Sequence, residues 1–273
     1  MLKLEYGMAI NQFQKHRTSA DIISDLFSSA DRTIFIHYSC ESFYDIVDGR
    51  SPRITSIALR FLRSGQTRSF SLHKEAELAN LDLQDFSAQI DNLEESMLKK
   101  FYDQVEKLEE RVWVHWNMRD SNYGFEAIAH RFRVLGGSPV DIPDGQKVDL
   151  ARVMYDFLGP DYVGHPRFHN LLEFNNMVPR NFLTGAEEAE AFNNGEYVKL
   201  HQSTLSKVDA IMDIAAAANE GRLKSQNGYF KTRGLNFSTA AVLIKDHPIF
   251  VAISIIAVLL ALTLNVLRFF NLF

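Results

Sequence analysis

The sequence predicts an α/β protein, a mixed sheet flanked by helices, followed by one membrane-spanning helix at the C-terminus. Three observations predict it. Segments suited to strands come first, at 33–38, 54–63 and 67–73. A three-to-four-residue apolar period then marks a long helix, and a short strand and further helices follow it. Last, residues 249–267 hold 19 positions without a charge.

Thr33-Ile-Phe-Ile-His-Tyr38 reads as a buried strand. Residues 54–63 alternate as a second, and Ser64-Gly65-Gln66 turns the chain into a third, which makes a hairpin of the two. Phe86, Ile90, Leu93, Met97, Phe101, Val105, Leu108 and Val112 then fall on one face of an amphipathic helix that packs on the sheet. Val112–His115 is a short fourth strand. Helices are expected over 123–135, ended by Gly136-Gly137, and over 150–158 and 203–219, with short helices between 166 and 200. The expected divisions are an N-terminal extension at 1–30, the α/β domain at 31–220, a basic linker at 221–247 and the membrane helix at 248–270.

At about 1.5 Å per helical residue, 19 residues reach about 28 Å, enough for a hydrocarbon core. Arg222, Lys224, Lys231, Arg233 and Lys245 precede the segment and only Arg268 follows it. That bias places the N-terminal domain in the cytoplasm as a single-pass, tail-anchored protein. The first residues lack the apolar stretch of a secretory signal. Small residues around Ser254 and Ala257–Ala261 would seat a second copy of the helix, so a homo-oligomer is one expected partner and the membrane another.

The net charge of −5 excludes a global basic field for holding nucleic acid, so any polyanion site must be local. Cys40 is the single cysteine, which rules out an intramolecular disulfide and fits a reducing compartment. No P-loop, dinucleotide fingerprint, Gly-x-Ser-x-Gly or His-Glu-x-x-His motif is present.

Ser39-Cys-Glu-Ser42 lies at the carboxyl end of the first strand, where open α/β sheets place ligands. Strand alternation puts Ser39 and Glu41 on one face, and a carboxylate there suits a divalent cation. His115 and Asn117 leave the fourth strand in the same way, with Asp120 three residues on. Trp116, Asn117, Arg119, Asn122 and Tyr123 combine aromatic and polar groups of the kind that stack on and hydrogen-bond a base. Asp209 is an acid on the late helix.

Over residues 30–220 this order resembles the RNase H-like fold of the DEDD 3′-to-5′ exonucleases, carried by Thr33–Glu41, His115–Asp120 and Leu200–Asp213. Glu41 and Asp209 stand where that family has acids. Ser39 stands where its first Asp belongs, Ser121 where its second does, and Thr204 or Leu205 where its His or Tyr does. The resemblance implies Mg²⁺ or Mn²⁺ held by Glu41, Asp120 and Asp209, with His115 or His201 as base. Two-metal hydrolysis needs several carboxylates around the cations, and Ser39 supplies no charge. The expectation is therefore a catalytically degenerate, membrane-anchored protein that binds a nucleotide, nucleic acid or partner through Trp116, Asn117, Arg119 and Tyr123. The alternative is an active tethered nuclease in which Asp120, Asp45 or Asp48 replaces the missing acid.

Overall fold

The computed structural model describes residues 2–41, 51–81, 83–120, 122–233 and 256. Among them the chain forms α1 (Leu2–Ser28), β1 (Thr33–Cys40), β2 (Ile54–Phe61), β3 (Thr67–Ser71), α2 (Leu72–Leu78) and α3 (Leu83–Glu106). There follow β4 (Val112–His115), α4 (Phe125–Val134), β5 (Lys147–Asp149), α5 (Leu150–Leu158), α6 (Arg167–Phe174), α7 (Gly185–Asn193), α8 (Tyr197–Asn219) and α9 (Tyr229–Thr232). The strands make one mixed sheet in the order β3-β2-β1-β4-β5. β1 pairs antiparallel with β2 and parallel with β4, and β5 continues the parallel half.

Both faces of the sheet are covered, which is why every residue of β1 is buried and its sequence reads as a near-continuous apolar run. Ile34, Ile36 and Tyr38 point to one side, into a core shared with Leu72 of α2, Met97 and Phe101 of α3, and Ile128 of α4. Phe35 points to the other, against Ile23 of α1, Leu150 and Met154 of α5, Leu171 of α6 and Val208 and Ile211 of α8. Period-two geometry therefore directs His37 and Ser39 to the α8 face.

Several boundaries differ from the sequence expectation for local reasons. The long helix ends at Glu106 rather than 112, because Lys107–Arg111 turn into β4 and Val112 starts that strand. The third strand stops at Ser71, whose extended φ of −158° serves as the N-cap of α2. α8 begins six residues early, at Tyr197. Residues 1–30, expected as an extension, form α1, and its Ile23 and Leu26 are core residues.

No helix among the described residues is long and apolar enough to cross a membrane. The segment 249–267 lies, but for Ile256, outside them, as do linker residues 234–247.

Candidate functional site

The parallel half of the sheet makes an opening. β4 ends at His115, which pairs with Ile36, while β1 runs on to Cys40, so from His37 onward β1 has lost that neighbour. Beyond His115 the chain turns back. Asn117 adopts a φ of 56°, a left-handed conformation that Asn tolerates. The turn is fixed by Asp149, the side-chain cap of α5, whose Oδ1 accepts from Ala151 N–H at 3.1 Å and from Asn117 N–H at 2.9 Å. Its other oxygen meets Arg119 Nη1 at 3.2 Å. Arg119 and Gly124 then bridge, and Gly124 N–H donates to Tyr38 Oη at 2.9 Å.

Between this turn, α1, α5 and the start of α6 lies a cavity of about 790 Å³. Its cations are Lys15, Arg119, Arg152 and Arg167, against one lining carboxylate, Asp156, which Lys15 meets at 3.3 Å. Trp116, Tyr123, Tyr155, Tyr162 and Phe168 supply aromatic walls. The size fits a small-molecule site, and the positive lining is a local exception in a chain of net charge −5. Trp116 packs on Phe168 with ring centroids 4.9 Å apart, and the Arg167 guanidinium lies 5.3 Å from the Tyr155 ring.

Three buried polar atoms of the lining have no hydrogen-bond partner: His37 Nε2, Tyr162 Oη and Arg167 Nε. Burial holds the His37 imidazole neutral, its pKa driven well below 6.5 with Lys207 adding to the effect. Burial pushes the Tyr162 phenol up to about 12, with Arg167 opposing, so it stays a proton-bearing donor at neutral pH.

A second cluster sits where α8 crosses β1. Glu188 Oε1 accepts from Ser39 Oγ at 3.0 Å and from Ser203 Oγ at 2.8 Å, and Lys207 Nζ approaches it at 2.7 Å. Ser39 Oγ is also 2.8 Å from Thr204 Oγ1.

The structure brings together Trp116, Asn117, Arg119 and Tyr123 on the cavity wall. It does not bring together Glu41, Asp120 and Asp209, and among the described residues no three His, Cys, Asp or Glu side chains gather as a metal site. Glu41, beyond the end of β1, accepts from Arg53 N–H at 2.8 Å and faces the Arg53 guanidinium at 3.6 Å. Asp120 is exposed and closes its own turn, accepting from Asn122 N–H at 2.8 Å. Asp209 meets Arg60 at 3.3 Å. Arg60 pairs with Phe35, four residues back along β1 from Ser39, a distance of about 13 Å at ~3.3 Å per residue. The donors at the Ser39 end, two hydroxyls and an ammonium on one carboxylate, do not suit a two-cation cage. Asp45, Asp48 and Ser121 lie outside the described residues.

The two histidines expected as bases are both buried. His115 Nδ1 accepts from Met118 N–H at 3.0 Å and thereby holds the turn after β4. Its pKa is pushed down to about 4 by burial, with Asp149 opposing. His201 lies beside His73, ring centroids 4.9 Å apart, on the β3 side of α8, its pKa pushed down to about 3 by burial and by Lys74.

Sequence reasoning missed Arg152, Tyr162, Arg167 and the Glu188–Lys207 pair. Arg152, Tyr155 and Asp156 carry a legible signal, since spacings of three and four put them on one face of α5. Arg167 follows a Pro- and Gly-rich stretch without periodicity.

No family model, curated protein or solved structure matches this chain.

Proposed function

We propose that the chain is a membrane-tethered, RNase H-like module that binds a nucleotide or nucleic acid end without hydrolysing it. The observation that carries the reading is the cationic, aromatic cavity at the open end of β4, where Lys15, Arg152 and Arg167 suit phosphates and Trp116 and Tyr123 suit a base. The sheet order and the antiparallel β2 are compatible with the RNase H-like frame. Catalytic silence is supported by the Ser39 cluster. In the resembled family this strand end gathers negative charge around divalent cations, whereas here the Lys207 ammonium already neutralises Glu188. Attachment through 248–270, and pairing of copies there, rest on the charge-free run.

The test uses the full chain in detergent micelles. Mononucleotides or single-stranded oligonucleotides are expected to raise its melting temperature, and labelled strands are expected to stay intact with Mn²⁺ or Mg²⁺. Metal-dependent degradation that disappears in Asp209→Ala would replace this reading with that of an active nuclease. No stabilisation by any nucleotide or strand would remove the ligand.

A further inference from the structure

The geometry points to a phosphate-monoester site in the cavity, formed by Arg152, Arg167, Tyr162 and the N-terminus of α6; this rests on the reading above and specifies which ligand group the site takes. Four independent features converge there. Arg167 is the first residue of α6, an eight-residue helix whose N-cap is Pro166 and whose first turn has no side-chain cap. Pro166, Arg167 and Phe168 all line the cavity, so the uncapped N–H groups and the positive end of the helix dipole lie at its wall.

Arg167 and Arg152 are the cations of the lining without a carboxylate partner among the described residues, whereas Lys15 is joined to Asp156 and Arg119 to Asp149. The Arg167 guanidinium is held between the rings of Tyr155 and Tyr162, at 5.3 and 5.9 Å, which orients its planar fork before any ligand arrives. Arg167 Nε is buried with no acceptor.

Tyr162 is 0% exposed and His37 7%; both residues line the cavity, and each holds a buried polar atom without a partner. Buried donors lacking acceptors are costly unless something supplies one. A dianionic phosphate brings three acceptor oxygens, matching Arg167 Nε–H, the Tyr162 hydroxyl and the first-turn N–H groups of α6. None of these residues belongs to the strand-end acid positions of the resembled family.

The same chemistry is offered by a nucleotide, by free phosphate and by the headgroup of a phospholipid. The segment that leads toward 249–267 is bonded to this wall, Gln226 N–H to Tyr162 O at 2.9 Å and Asn227 Nδ2 to Leu158 O at 2.9 Å, so a lipid source is tested directly.

The experiment titrates the full chain in detergent micelles with AMP, adenosine, inorganic phosphate and glycerol 3-phosphate, following Trp fluorescence and melting temperature. AMP is expected to bind tenfold or more tightly than adenosine, and both Arg152→Gln and Arg167→Met to bring AMP toward the affinity of adenosine. Arg152 is exposed, so Arg152→Gln reads the site even where loss of the stacked Arg167 impairs folding. Equal binding of adenosine and AMP, or AMP affinity unchanged in Arg152→Gln and Arg167→Met, overturns the phosphate site while leaving a nucleoside site standing. Phosphate and glycerol 3-phosphate binding as tightly as AMP, with sensitivity to both arginines, supports the phosphate site, assigns it to a headgroup or free anion, and overturns the nucleotide reading. If all four compounds fail, the inference falls, and single-stranded oligonucleotides decide the broader reading separately.

Discussion

Lys207 Nζ lies 2.7 Å from Glu188 Oε1, and the two side chains are 8% and 12% exposed. Each ion has been withdrawn from water, and each is tolerated because the other is there. Ser39 and Ser203 complete the shell of the carboxylate.

Lys207→Met leaves that carboxylate with hydroxyl donors alone, and the expected loss of stability is about 3 kcal/mol. Adding Glu188→Gln removes the stranded charge, so the double variant is expected to recover a substantial part. Denaturation midpoints of the wild type, the two single variants and the double variant measure the coupling; additive effects would show that the pair is not energetically linked.

Trp116→Ala is expected to weaken nucleotide binding by ~1–3 kcal/mol, the usual worth of one base stacked on an aromatic ring. The chain has two tryptophans, and Trp113 is 1% exposed, so ligand quenching of fluorescence reports Trp116. Quenching that persists undiminished in Trp116→Phe would place the base elsewhere.

The strands were legible because β1 carries a near-continuous apolar run and β2 an alternating one, and Ser64-Gly65-Gln66 marks the hairpin. β5 escaped notice because it is three residues long, Lys147-Val148-Asp149, too short for any period to register. In the site, the turn after β4 stood out from its density of Trp, Asn, Arg and Tyr. The acids did not resolve, because their meeting depends on where α8 crosses the sheet. Asp209 lies five residues beyond Thr204, more than a turn, and this carries it from the Ser39 end to the Arg60 end. A one-dimensional spacing does not contain that crossing point.

Acidification is expected to destabilise the fold between pH 6.5 and 4. His115 has its pKa lowered to about 4 by burial, with Asp149 opposing, and Nδ1 is already occupied as an acceptor from Met118 N–H. Within that window the unfolded chain takes up the proton more readily than the folded one. The histidine's contribution is therefore fully present above pH 6.5 and is lost as pH falls, reaching about 3 kcal/mol at the lower end. His115→Asn retains an acceptor near the Nδ1 position without titrating, so urea midpoints at pH 7, 6 and 5 are expected to fall less steeply. An unchanged slope would assign the effect to His37 and His201, which burial also keeps neutral.

Gly124 is the position where backbone meets backbone at the cavity mouth. A Cβ there would stand 2.6 Å from both the carbonyl carbon and the oxygen of Met118, atoms that no side-chain rotation can move. Gly124→Ala must therefore part the Arg119–Gly124 bridge or the Gly124 N–H to Tyr38 Oη bond, and the expected cost is ~1–3 kcal/mol. Because Arg119 and Tyr123 ride on this turn, ligand affinity is expected to drop along with stability. Gly185→Ala is the control, since nothing lies within 4 Å of its Cβ position at the start of α7. If Gly124→Ala matches that control in both melting temperature and AMP affinity, the turn is compliant and does not fix the cavity wall.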